Sequence, residues 1–180
     1  DEGADDAAAS RRITRVAVIN RDMPFLVDSV SHTFAAHGLT VDVLIHPIVP
    51  VRRNPDRTLA DIPAGDSAGE KLESFIYLET DRIDARQRRA LEAGLVSAMA
   101  DVRAAVEDWP KMRTRIAEDA DLVADAEGAA LLRWMGGGMM TQLGHLIRRR
   151  DGSQAQVLGI CRKSAGELLS DNAWERAFAW

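Results

Sequence analysis

An α+β fold is the class this sequence predicts, and three observations predict it. Short apolar runs with strand periodicity stand at about 13–20, 40–46 and 74–80, and helical repeats follow the first and the last of them. The order is therefore strand, helix, strand, strand, helix, which matches the split βαβ, ferredoxin-like plan without its closing strand. The third observation is compositional. An apolar content of 46% over 180 residues supplies a core without disulfides or metal, and with only 5% aromatics that core is aliphatic.

Each element has a local cause. Residues 1–11 are acidic and rich in small residues, as expected of a flexible lead-in. The chain starts at Asp1 and not at methionine, as a fragment of a longer protein would. From Ile13 to Asn20 the unbroken run Val16-Ala17-Val18-Ile19 reads as a covered strand. Asp22 then stands where an N-cap belongs, and Pro24 suits a first helical turn. The helix carries Leu26, Val30 and Phe34 as its buried stripe and stops at Gly38, a C′ residue. Val41, Val43 and Ile45 alternate with polar or opposite-facing neighbours in a second strand, and Pro47 and Pro50 put its far end on an edge or a bend. Residues 52–72 lack periodicity and read as a long, mobile excursion. The third strand, Ser74 to Thr80, alternates again.

Asp84 and Gln87 form a capping box that starts the best-defined helix. Its stripe is Leu91, Leu95, Met99, Val102, Val106 and Trp109. Pro110 predicts a break there and a second helix bearing Met112, Ile116 and Val123. A third short helix, about Glu127 to Met135, ends at Gly136-Gly137-Gly138. Thr141–Arg148, an Asp151-Gly152 turn and Gln154–Arg162 read as a hairpin, and Ser164–Trp180 as weakly helical. The expected organisation is a lead-in at 1–11, a βαββα core at 12–109, a helical insert at 110–138, and at 139–180 a hairpin completing or flanking the sheet plus the tail.

Composition excludes several functions. Cys161 is the single cysteine, which leaves no disulfide framework or cysteine-rich zinc site and fits a reducing cytoplasm. No apolar run reaches the roughly 18 residues of a membrane span, and no signal peptide opens the chain. A net charge of −5 argues against nucleic acid, although 20 of the 23 basic residues are arginine. His32, His37, His46 and His145 have no ligand spacing, so no metal, catalytic or cofactor-binding residue is assigned. Ser29, His32 and Asp28 read as a polar helix face, not a nucleophile with its base. The three glycines follow a helix, the wrong orientation for a phosphate cradle, and read as a cap and hinge. Arg148-Arg149-Arg150 reads as a solvated hairpin tip.

The strand-to-helix turn Asp22-Met23-Pro24-Phe25 offers free amides to an anion. Asp28 and Ser29 follow it, and His46, Glu73 and Ser74 lie at strand ends nearby. These nine residues form the candidate effector or interdomain contact site.

Asp22-Met23-Pro24-Phe25-Leu26-Val27-Asp28-Ser29-Val30, His46-Pro47, Arg52-Arg53, Glu73-Ser74, Val102-x-x-x-Val106-x-Asp108-Trp109, Leu132-Arg133-Trp134-Met135 and Leu143-Gly144 resemble the N-terminal region of the large bacterial NAD-specific glutamate dehydrogenases. The resemblance implies a cytoplasmic parent enzyme that deaminates L-glutamate oxidatively to 2-oxoglutarate and ammonia. Its NAD binds in a later catalytic region, with no cofactor in this segment. It also implies an ACT-like, ferredoxin-like module, used in such proteins to bind amino acids or assemble subunits. The expected partners are other domains and subunits of a homo-oligomeric parent, with an amino-acid effector as the alternative to a purely structural role. Three departures stand out. Phe25 occupies a position where amino-acid-binding ACT modules commonly have glycine. The helical insert interrupts the simple fold. Gly136-Gly137-Gly138-Met139-Met140 replaces a more polar stretch followed by an aromatic. Three readings follow: a non-catalytic regulatory and assembly module, an amino-acid or metabolite sensor, and a small enzyme using His46, Ser74 and Glu73.

Overall fold

The structure is a computed structural model that describes residues 12–63, 71–165, 175, 176 and 179. The expected lead-in, residues 64–70 of the expected excursion and most of the expected C-terminal helix lie outside the described residues. The chain forms two compact units, one ending at Val96 and one starting at Ser97. Both helices and antiparallel sheet are present, so the α+β class holds.

The first unit holds β1 (Ile13–Arg21), α1 (Leu26–Ala36), β2 (Val43–Ile45), β3 (Ile48–Arg53), β4 (Leu59–Asp61), β5 (Lys71–Asp81) and the opening turns of α2 (Ala85–Leu122). β5 is the central strand. Along one side it pairs antiparallel with all of β1, from Ile13 opposite Asp81 to Arg21 opposite Glu73. Along the other it pairs with β2 and then β3, and β4 lies outside β3.

β2 and β3 keep one register along β5. Ile45 lies opposite Tyr77, Ile48 lies opposite Ser74, and between them the Pro47 carbonyl accepts the Phe75 amide at 3.0 Å. The predicted second strand therefore extends past Pro47 to Arg53. Proline interrupts it by lacking a donor, without redirecting it. Pro50 is tolerated because only its β5 side is paired at that point. Residues 52–63 are not the aperiodic excursion that composition predicts. They include a hairpin whose turn is closed by Asn54 N–H to Thr58 O at 2.9 Å and by Thr58 donating twice to Asp56 Oδ1.

Strand alternation sorts this sheet into two faces. Ser74, Ile76, Leu78 and Thr80 are buried on one. The buried residues of α1 are the predicted Leu26, Val30 and Phe34. α1 ends as predicted: Leu39 N–H reaches Phe34 O and Gly38 N–H reaches Ala35 O, with Gly38 at φ 69°. This is the Schellman pattern, and it needs a left-handed C′ residue. The other face is open and carries Ile19, Ile45, Phe75 and Tyr77.

The Asp84–Gln87 capping box forms reciprocally, at 3.1 and 2.8 Å. The helix it starts does not break at Pro110 but runs to Leu122. In the second unit the buried positions Val102, Ala105, Met112, Ile116 and Ala120 stay in phase across the proline. Burying that continuous stripe outweighs the roughly 3 kcal/mol that an internal proline costs.

The rest of the second unit is α3 (Ala126–Trp134), a wide turn at Met135–Met139, β6 (Gly144–Arg148) and β7 (Gln154–Gly159). Asp125 caps α3 by accepting the Gly128 amide at 2.6 Å. The three glycines are not a simple cap. Gly136 leaves room for Ile116, whose Cγ2 would lie 2.6 Å from an added Cβ, and Gly138 takes φ 106°. The predicted hairpin forms around Gly152 at φ 81°. β6 and β7 make a two-stranded sheet of their own, and among the described residues no strand lies beyond β1.

Candidate functional site

The β1–α1 turn brings together part of the predicted set. The Asp22 amide ends the ladder by donating to Leu72 O at 2.9 Å, and the Asp22 carboxylate accepts the hydroxyl of fully buried Ser74 at 2.6 Å. Asp22 is thus a tether between the turn and β5, not the helix cap. The cap position belongs to Phe25, which has no side-chain cap bond and whose carbonyl accepts the Ser29 amide at 3.0 Å. Phe25 stands at φ 71°, a left-handed conformation costly for a bulky residue, and its side chain is 44% exposed. The substitution noted in the sequence thus has a backbone counterpart: phenylalanine holds a conformation that glycine takes freely. Met23 and Ser29 are half-buried, and Pro24 and Asp28 are exposed. Asp28 lies in the first turn of α1, where a negative charge favours the helix.

The strand-end residues divide between the two faces. His46 follows β2 in the register that sets it opposite Ile76, and its Nε2 is buried with no hydrogen-bond partner. Ser74 directs its proton to Asp22, so it is not poised as a nucleophile toward His46. Glu73 points the other way. Its carboxylate takes two bonds from Arg53, at 2.6 and 2.5 Å. That guanidinium holds the Glu73 carboxyl below the usual carboxylate range, against desolvation. The His46–Ser74–Glu73 enzyme reading therefore loses its geometry, because Glu73 sits across the sheet from the other two.

On that open face Glu73 borders a groove of about 1020 Å³ between the ends of β1, β3 and β5 and the β3–β4 turn. Sequence reasoning did not assign this groove. The Arg52-Arg53 pair and the Asn54-Pro55-Asp56 turn signal that follows were the available clues.

In the second unit the unassigned polar group is Asp108. It is buried in the apolar stripe of α2 and accepts from the Gly159 amide at 3.0 Å, Lys111 Nζ at 3.1 Å and Arg162 Nε at 2.8 Å. Burial pushes this carboxyl up, but the amide and the two cations outweigh it and hold the group below the ordinary aspartate value of 3.8. A group depressed by folding stabilises above its unfolded pKa and loses that contribution as the pH falls through the folded one. Urea titrations are expected to show the second unit weakening below that value, and Asp108→Asn to remove this part of the pH dependence. All four tryptophans lie at or after Trp109, so their fluorescence reads this unit.

Among the described residues no group of three or more His, Cys, Asp or Glu could hold a metal, and no helix is long and apolar enough to cross a membrane.

Comparison with known proteins places this architecture. A Halomonas elongata protein named NAD-specific glutamate dehydrogenase is 35% identical over 105 residues, 57% of this chain and 6% of its own length. A Pseudomonas aeruginosa protein of the same name is 33% identical over 126 residues, 68% of this chain and 7% of its own. The chain thus spans less than a tenth of the curated relatives it matches. The family profile described as glutamate dehydrogenase, ACT1 domain, matches residues 4–95, stopping one residue short of the end of the first compact unit. With half of the sequence covered by that profile, the chain belongs to the glutamate dehydrogenase ACT1 domain family.

Proposed function

We propose that this chain is a non-catalytic N-terminal regulatory and assembly module of a large NAD-dependent glutamate dehydrogenase, and that its first unit is a ferredoxin-like ACT domain. The observation that carries the reading is the coincidence of the ACT1 match with the first compact unit, in a chain spanning so little of its relatives. The parent reaction is oxidative deamination of L-glutamate to 2-oxoglutarate and ammonia, with NAD bound in another region of a cytoplasmic, homo-oligomeric enzyme. Strand order supports the ferredoxin-like assignment, because β5 lies between β1 and the β2–β3 strand. The module acts by packing against other domains or subunits of the parent.

Assembly is favoured over amino-acid sensing by the turn itself. Asp22 is engaged by Ser74, and the position where glycine would open the backbone carries Phe25. The sensing alternative draws on the unpaired, buried His46 Nε2 beneath the same sheet. A thermal-shift panel with amino acids, 2-oxoglutarate and NAD separates the two. A ligand at about 100 times its dissociation constant adds ~2.7 kcal/mol, a shift of several degrees. A flat panel is expected. A selective shift by one amino acid, lost in Asp22→Ala, would replace assembly with sensing.

A further inference from the structure

We propose that the groove on the open face of the first sheet binds a small polyanion, holding two or more phosphate or carboxylate groups between Arg21, Arg57 and Lys71. The charge balance is the first argument. Five cations line the groove, from Arg21, Arg52, Arg53, Arg57 and Lys71, against one carboxylate, Glu73. This is a positive concentration on a chain whose net charge is −5. Glu73 is already held through both oxygens by Arg53, and Arg52 faces Asp61 at 3.6 Å. Among the described residues, Arg21, Arg57 and Lys71 have no such carboxylate. Like charges gathered this closely repel, and a multivalent anion converts that repulsion into binding.

Register explains the convergence. Arg21 lies opposite Glu73, and Val51 opposite Lys71, so these side chains share one face with Ile19 and Arg53. Ile19 and Val51 supply an apolar floor. The third cation comes from the β3–β4 turn, which is fixed before any ligand arrives. Asn54 Nδ2 bonds Thr58 Oγ1, Thr58 bonds Asp56, and Arg53 Nη1 holds the Arg57 carbonyl at 2.8 Å. Arg57 itself sits at φ 70°. A cation locked in an unfavoured backbone conformation at a groove rim is a preorganised anion contact. Arg53, paired with Glu73, serves as the strut that positions this turn, and the groove admits ligands up to the size of a nucleotide.

The test is calorimetric titration of the 180-residue chain with sodium tripolyphosphate and with citrate. Saturable binding that weakens steeply between about 0.03 and 0.3 M salt is expected. Arg57→Gly is the informative variant, because glycine accepts the turn conformation and the fold is retained. It should lower affinity by about tenfold or more with no fall in melting temperature, as should Lys71→Gln and Arg21→Gln. Arg149→Gln, at the β6–β7 hairpin, should leave affinity within about twofold. Binding of tripolyphosphate alone, or of citrate alone, supports the site and names its anion. Two outcomes would overturn it: no saturation by either anion up to about 10 mM, or equal losses in Arg57→Gly and Arg149→Gln.

Discussion

Gly159→Ala is expected to destabilise the second unit severely. Gly159 stands at φ 60° and ψ −140°, a combination that is essentially glycine's alone. An added Cβ would lie 2.1 Å from the Leu143 carbonyl oxygen and 3.0 Å from Gly144 Cα, both backbone atoms that cannot swing aside. That carbonyl also accepts the Ile160 amide at 3.0 Å, and the Gly159 amide is the one that reaches buried Asp108. One methyl group therefore displaces the end of the β6–β7 ladder, its closing turn and the internal partner of a buried carboxylate together. Strain of this kind and a lost buried bond cost about 3 kcal/mol or more in sum, a large part of the 5–15 kcal/mol that holds a domain folded. Denaturation followed by tryptophan fluorescence should show a much earlier midpoint, and an unchanged midpoint would refute the packing described at Gly159.

The second large effect is expected in the first unit, from Phe34→Ala. Phe34 is fully buried and extends the stripe of α1 that begins with Leu26 and Val30. Removing its ring forfeits the transfer energy and leaves a cavity, for about 3–5 kcal/mol. Phe25 provides the internal comparison, nine residues away on the same segment. Phe25→Gly gives up a half-exposed ring and relieves a left-handed backbone, so its net effect should stay within about 1 kcal/mol. Amide signals of β1 and β5 report both variants. Equal losses at the two positions would contradict the burial that separates them.

Local signals made most of the elements legible. The stripe of α1, its Gly38 stop, the Asp84–Gln87 box and the Asp151-Gly152 hairpin all follow from residues within a turn of one another. The readings that failed turned on contacts that leave no periodic trace in the neighbouring sequence. Asp22 looks like a cap until Ser74, which lies 52 residues along the chain, is folded against it. Pro110 looks like a break because its neighbours alone do not reveal that burial continues in phase beyond it. The turn after Arg53 looks formless because its order comes from side chains bonding backbone across a few polar residues, which leaves no hydrophobic period. The candidate site suffered the same way. Glu73 and Ser74 are adjacent in sequence, yet strand alternation sends them to opposite faces, so a cluster read along the chain becomes two separate places.

The shared register of β2 and β3 sets where this fold tolerates insertions and deletions. Losing or gaining one residue at His46–Pro47 would slide the following strand by one position along β5 and invert it. Arg53 would leave Glu73 for the buried face, and Val51 would trade faces with its neighbours. The strand that directly follows the turn at 54–58 is β4, which has three residues and pairs only with β3, so a change of length in the turn is absorbed at that short edge strand. Length variation is thus permitted at the tip that carries Arg57 and forbidden at the proline that looks, in the sequence alone, like the looser joint.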